Sequence, residues 1–248
     1  MKSFILMIQF LTRIPIPIEL DVTKEDFQKG PVYFPVIGMI IGCILYTLYH
    51  ISNGHISPLL LALIIVVAEV LITGGLHLDG LSDTFDGIYS NRDKERMLEI
   101  MKDSRLGANG ALALFFFMLL KIALIMELNP EWAMLVIITM PVIGRFNILV
   151  ACRFSKYARE DGMGNFFIGK VSNFKLFLGF MMTLAFVVGV GNYELELLIL
   201  LAGSLGFVSY YIQHVKKKID GMTGDTLGAL CELTEIVVLG IAVLLQTL

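Results

Sequence analysis

The sequence contains few charged residues and few cysteines, and each shortage excludes a class of protein. Only 17% of the 248 residues are charged and 56% are hydrophobic, whereas about a quarter of the residues of a soluble domain are charged. The three cysteines stand far apart and form no C-x-x-C pair, so the sequence indicates neither a disulfide framework nor a zinc site. The sequence contains no basic patch of the kind that binds nucleic acid. The composition predicts a membrane protein.

Four common catalytic signatures are also missing. The sequence has no G-x-S-x-G, no Walker loop, no H-E-x-x-H and no dinucleotide fingerprint. These patterns mark α/β-hydrolases, P-loop nucleotide hydrolases, zinc proteases and dinucleotide enzymes. Any chemistry must therefore come from a different set of side chains.

Long apolar runs account for most of the chain. Seven of them approach or exceed the ~20 residues that a helix needs to cross a bilayer. They predict an all-α, polytopic transmembrane bundle, and residues 1–248 form one integral-membrane catalytic domain because no connection is long enough for a soluble one. The predicted spans are 32–50, 57–78, 108–127, 132–151, 174–191, 195–213 and 227–247.

The basic residues predict the orientation of these spans. Sixteen of the nineteen lysines and arginines fall in segments 1–31, 79–107, 152–173 and 214–226, and the connections near 51–56, 128–131 and 192–194 carry none. Because basic loops stay in the cytoplasm, this alternation predicts a cytoplasmic N-terminus and an external C-terminus. The apolar run Phe4–Leu11, followed by Pro15 and Pro17, predicts an additional interfacial or re-entrant helix.

Three aspartates predict the centre of a site. Residues 74–87 read GGLHLDGLSDTFDG, and the i, i+4, i+7 spacing of Asp79, Asp83 and Asp86 places them within about 60° on one helical face. Three like charges so close together favour a bound cation, and oxygen ligands favour Mg²⁺ or Mn²⁺. Gly74 and Gly75 permit a tight turn beside a ligand.

Other polar residues could complete this site. His77 could act as a base, and Asp103 could add a carboxylate or cap the following helix. Lys102 and Arg105 could hold phosphate oxygens. In the stretch DGMTGDTLGALCELTE at 220–235, Asp225, Glu232 and Glu235 recur along the last span and should face a polar interior. Three further charges lie within spans and should also face a polar interior: Glu69, Lys121 and Arg145. Mutual pairing inside the bundle is the alternative to a catalytic role for all three, and it is the favoured one for Lys121.

The residues alone favour a magnesium-dependent enzyme of phosphoryl or phosphodiester transfer at the cytoplasmic membrane surface. A cation-coupled transporter is the alternative from another class, since acidic residues within membranes also mark ion pathways. The gathering of acids and glycines at one face, instead of at mid-bilayer in two repeats, favours the enzyme.

Four motifs carry a resemblance to a known family. They are FLTRIPIP at 10–17, GGLHLDGLSDTFDG at 74–87, MKDSRLGANG at 101–110 and GMTGDTLGALCELTE at 221–235. Together they resemble the cobalamin synthase family, formally the adenosylcobinamide-GDP ribazoletransferases, from the N-terminus to the last span. Asn109 departs from the pattern, in which an aromatic or apolar residue is expected.

The resemblance implies a late step of cobalamin biosynthesis with Mg²⁺ as the cofactor. α-Ribazole or its 5′-phosphate would attack the diphosphate of adenosylcobinamide-GDP, releasing GMP and forming adenosylcobalamin or its 5′-phosphate. The implied location is the inner cell membrane, among lipid and with the active site facing the cytoplasm; homo-oligomeric assembly is left open. The implied catalytic residues are Asp79, Asp83, Asp86, His77 and Asp103; the metal ligands are Asp79, Asp83, Asp86 and Asp225; and the substrate contacts are Lys102, Arg105, Gly74, Gly75, Arg13, Asp225 and Glu232.

A CDP-alcohol phosphotransferase is a related alternative, since such enzymes also use aspartates and glycines in a membrane. Their D-G-x-x-A-R pattern is missing here, because Asp83 stands where the alanine belongs.

Overall fold

The computed structural model describes residues 1–191 and 194–247, and within these ranges the chain is helical without named β-strands. The eleven α-helices are α1 (Lys2–Leu11), α2 (Lys24–Lys29), α3 (Phe34–Ser52), α4 (Pro58–Thr73), α5 (Leu76–Ile88), α6 (Lys94–Ile100), α7 (Ala108–Glu127), α8 (Pro130–Phe154), α9 (Asn173–Gly191), α10 (Leu195–Ile219) and α11 (Gly224–Leu245). Two 3-10 turns cover Gly30–Tyr33 and Met163–Phe166.

The apolar helices confirm the predicted membrane bundle. Six of those described are long and apolar enough to cross a bilayer, and a seventh is obtained if α4 and α5 count as one bent span. The predicted connection near 192–194 lies mostly outside the described residues. The chain is therefore a multi-pass membrane protein.

The predicted span 57–78 is wrong at its C-terminal end. Helix α4 stops at Thr73, and α5 continues at an angle of 92° to it. Gly74 and Gly75 form the corner with φ values of +65° and +71°, a left-handed conformation that glycine adopts without steric cost. The apolar residues at 76–78 thus belong to the helix that carries the aspartates.

Helix α8 is the centre of the bundle. Nearly all of its residues from Trp132 to Cys152 are buried, and it packs against α3, α9, α10 and α11. Helix α7, in contrast, exposes large apolar side chains along its length, as lipid contact requires: Leu112, Phe115, Phe116, Leu119 and Leu120. Helix α1 ends at Leu11, before Pro15, as the sequence predicts.

Candidate active site

Helices α5 and α11 approach closely at their polar ends. A Cβ atom on Gly80 would lie 2.7 Å from the backbone oxygen of Asp225, and one on Gly228 would lie 3.2 Å from the Cα of His77. Only glycine permits this separation of the two helices. The contact brings Asp225, at the first turn of α11, to the helix that carries Asp79, Asp83 and Asp86.

An open cleft of about 590 Å³ joins three of the four sequence motifs. Arg13 comes from the first motif, and its backbone N–H donates to the carbonyl of Ile72 at 2.6 Å. The second motif contributes Gly74, Gly75, Asp79 and Asp83, and the loop before α7 contributes Ser104 and Leu106. The fourth motif reaches the same place through Asp225, which shares a neighbouring pocket with Asp79.

Acidic charge dominates this cleft. The carboxylates of Asp79, Asp86 and Asp225 all lie close enough to Asp83 for their charges to act on it, and the charge of Arg159 opposes them. Arg159 donates from Nη2 to Oδ2 of Asp225 at 2.7 Å, and its Nε is buried without a hydrogen-bond partner. The cluster therefore has more negative than positive charge, which favours a cation or a cationic group among the aspartates.

Arg159 is a site residue that the sequence analysis did not single out. Its loop is held by a two-stranded contact in which Ala158 N–H donates to Met222 and Met222 N–H donates to Lys156, both at 2.9 Å. That contact includes Met222, in the turn that leads into α11 and its Asp225. The segment 152–173, which served in the sequence only to predict orientation, therefore contributes Arg159 to the acidic cluster.

Asp86 has a partner that the metal-ligand prediction did not anticipate. Its two carboxylate oxygens accept backbone N–H groups of Gly107 and Gly110, at 2.8 and 2.9 Å. A carboxylate at a helix N-terminus is stabilised by the free N–H groups and the helix dipole. Asp86 thus fastens α7 to α5, and both of its oxygens already accept hydrogen bonds.

Asp103 and Arg105 lie in the same loop and bind each other. The Arg105 Nε donates to both Asp103 oxygens at 3.0 and 3.1 Å, and these contacts lower the pKa of Asp103 to about 2. A carboxylate with so low a pKa is a poor proton acceptor, so the predicted catalytic role of Asp103 gains no support. Lys102 and Arg105 are exposed and neither lines the cleft.

The charges predicted within the spans form one buried cluster, which we call the ion cluster: Glu69, Lys121, Arg145, Glu232 and Glu235. Lys121 Nζ lies 2.7 Å from Glu69 and 3.6 Å from Glu232, and it also pairs with Glu235. Arg145 pairs with Glu235 and lies 3.5 Å from Glu69. Pairing inside the bundle is confirmed for Lys121. Glu232 lines neither the cleft nor its neighbouring pocket, so its position does not support substrate binding.

His77 also faces the bundle interior. Its side chain is buried, and Nδ1 lies 3.4 Å from Nη2 of Arg145. Its Nδ1 therefore faces the guanidinium of Arg145 inside the bundle. This position makes His77 a weak candidate for the general base.

The aspartates match a divalent cation in donor type and charge, because they are oxygen ligands in an electronegative cleft. Within residues 1–191 and 194–247, however, no three His, Cys, Asp or Glu side chains converge closely enough to hold a metal ion. Both oxygens of Asp86 accept backbone N–H groups, whereas the recorded partners of Asp225 use only its Oδ2. The fit to a cation therefore rests on the oxygen donors of Asp79, Asp83 and Asp225 and on their charge, not on an assembled set of ligands.

The fold and the cleft define a multi-pass helical membrane protein with an acidic candidate site where its sequence motifs converge. Comparison with known proteins specifies the class further: a family model described as cobalamin-5-phosphate synthase matches residues 3–243. The chain belongs to this family.

Curated relatives agree with the family model over nearly the whole chain. An adenosylcobinamide-GDP ribazoletransferase of Alkaliphilus metalliredigens is 49% identical over 235 residues, covering 95% of this chain and 92% of that protein. Proteins of the same name from Clostridioides difficile and Clostridium novyi are 46% and 44% identical, each across 96% of this chain and 96% and 94% of their own lengths. No solved structure matches the chain significantly.

Proposed function

We propose that this protein transfers the adenosylcobinamide phosphate group of adenosylcobinamide-GDP to α-ribazole or its 5′-phosphate. A ribose hydroxyl oxygen forms a bond to the phosphorus next to cobinamide. The bond from that phosphorus to the oxygen bridging to GMP breaks, and GMP and one proton leave. The observation that carries the proposal is the convergence of the family's motifs on one acidic cleft.

In this proposal, the residues at and beside the cleft have different roles. Asp79 lines both the cleft and its neighbouring pocket, which supports its assignment as the group that accepts the proton of the hydroxyl. Arg13, which lines the cleft, binds phosphate oxygens. Arg159 holds Asp225 through their ion pair. Asp86 holds the start of α7 in place beside them.

Asp83 and Asp225, together with Asp79, would hold a Mg²⁺ ion. Such an ion neutralises a diphosphate and stabilises the charge that develops on its leaving group. The all-oxygen donor set favours Mg²⁺, or Mn²⁺ in its place, over zinc.

The proposed activity predicts that purified protein in detergent or lipid releases GMP from adenosylcobinamide-GDP only when α-ribazole is added. The measurement is chromatographic quantification of GMP and the corrinoid product over time. A matched sample without α-ribazole reports simple hydrolysis. Equal GMP release in the two samples would identify a hydrolase and refute the transferase.

We also propose that the cleft faces the cytoplasm of the inner cell membrane, because the basic loops lie beside it. Single cysteines replacing Arg92 or Lys217, both exposed, should resist an impermeant thiol reagent in intact cells. The background lacks Cys43, Cys152 and Cys231. A cysteine replacing His55, in the exposed connection after α3, should react. If the cysteine at position 92 or 217 is labelled and the one at position 55 is protected, the orientation is the opposite of the one proposed.

A further inference from the structure

A second, smaller pocket meets the open cleft at Leu76 and Asp79, and we call it the ring pocket. Its volume is about 140 Å³. Apolar side chains from α1, α3, α8, α11 and the loop after α8 form most of its lining: Phe10, Leu11, Phe34, Ile148, Phe167 and Leu227. All of these except Phe10 are buried, so the pocket is a preformed feature of the packed bundle.

The size and lining of the ring pocket select a class of ligand. An apolar protein cavity of roughly 150 Å³ holds a benzene ring, so this pocket accepts a flat ring of similar width. The polar side chains that line it are those of Asp79, Asp225 and His77, and His77 is directed to Arg145. A base rich in hydrogen-bonding groups would leave them unpaired against the phenylalanines and leucines, at a substantial cost.

We propose that the ring pocket binds the apolar, benzene-sized ring of the acceptor nucleoside's flat base, with the ring that carries the ribose at the boundary with the cleft. This inference rests on the proposed function, in which the acceptor is α-ribazole, a ribonucleoside with a methylated bicyclic base. A corrin macrocycle is far too large for the pocket, and guanine would place its carbonyl oxygen and ring nitrogens against the aromatic and aliphatic side chains that form most of the lining.

The position of the pocket gives the acceptor its orientation. With the base among Phe10, Phe34 and Leu227, the attached ribose lies toward Asp79, which the pocket shares with the open cleft. The diphosphate of the donor then occupies the cleft on the other side of that shared boundary. Burial of the apolar base thus directs a ribose hydroxyl to the carboxylate that accepts its proton.

Phe10→Leu tests the pocket, and Phe4→Leu is its matched control. Both phenylalanines lie on α1, are partly buried and make one aromatic contact, Phe10 with Phe27 and Phe4 with Tyr33. Only Phe10 lines the ring pocket. Phe10→Leu should raise the KM for α-ribazole about fivefold or more, with the KM for adenosylcobinamide-GDP changed less than about twofold. Phe4→Leu should leave both constants nearly unchanged.

A second measurement uses the wild-type protein and the free base of α-ribazole as the probe. The free base should bind in calorimetry and should inhibit transfer competitively with α-ribazole but not with adenosylcobinamide-GDP. Competition with adenosylcobinamide-GDP, no binding, or equal effects of the two phenylalanine variants would overturn the ring-pocket assignment while leaving the transferase intact. Absence of transfer in the wild type would instead refute the proposed function. Calorimetry of the wild type beside Phe10→Leu and Phe4→Leu would still decide whether the pocket takes the ring.

Discussion

Asp83→Asn lowers kcat and kcat/KM together, by at least about 100-fold, while the protein stays folded. Asp83 lies among the charges of Asp79, Asp86 and Asp225, so its own charge is central to the cation site proposed here. An interaction that strengthens toward the transition state lowers both constants when it is lost. A 100-fold loss corresponds to about 2.7 kcal/mol, which is reasonable for a lost metal ligand.

The measurement is steady-state kinetics across a Mg²⁺ titration, accompanied by a thermal unfolding curve. Asp83→Asn should need more Mg²⁺ for half of its residual rate, and EDTA should abolish wild-type turnover until Mg²⁺ or Mn²⁺ is restored. Asp220→Asn is the control, since Asp220 is exposed and pairs with Lys94 at the surface; it should retain normal rates. Near-normal turnover of Asp83→Asn, or full activity in a metal-free sample, would refute the cation site.

Glu235→Gln should unfold at a lower temperature than the wild type, by at least about 5 °C. Glu235 pairs with both Lys121 and Arg145, and its side chain is fully buried. The glutamine amide can accept from only one of these two cations and presents an NH2 donor to the other, which disrupts the buried pairing at a cost of about 3 kcal/mol. Its loss of activity should therefore follow its loss of folded protein, unlike that of Asp83→Asn.

Glu99→Gln provides the comparison for this second substitution. Glu99 pairs with Arg96 on α6, and both side chains are mostly exposed, so the pair is worth at most about 1 kcal/mol. Thermal unfolding in one detergent, followed by helical circular dichroism, measures both variants. If Glu235→Gln and Glu99→Gln both unfold at the wild-type temperature, the ion cluster does not stabilise the fold.

The spans were predictable from the sequence, whereas the corner between α4 and α5 was not. An apolar run of bilayer length predicts a helix because lipid leaves backbone groups no other partner. Hydropathy shows that a segment is apolar but not where its helix bends. The predicted span 57–78 therefore included Gly74 and Gly75 as ordinary helical positions and missed the 92° bend. The pair of adjacent glycines before a polar helical face was the available signal.

The acidic half of the site was predictable, but its other partners depend on tertiary contacts. The spacing of Asp79, Asp83 and Asp86 predicted a shared helical face, which α5 confirms. Nothing in that spacing shows that Asp86 reaches the N-terminus of α7 or that Arg159 reaches Asp225. Both contacts join residues more than twenty positions apart in the sequence, where local periodicity carries no information.

The ion cluster also constrains how the chain is made. Its charges enter the membrane in the order Glu69, Lys121, Arg145 and then Glu232 with Glu235, because these lie on α4, α7, α8 and α11. Spans insert first and associate afterwards; until α11 arrives, two cations share the single carboxylate of Glu69. The docking of α11 therefore brings the carboxylates that complete the ion cluster together with Asp225. A nascent chain lacking that helix would expose an unbalanced polar interior to membrane quality control.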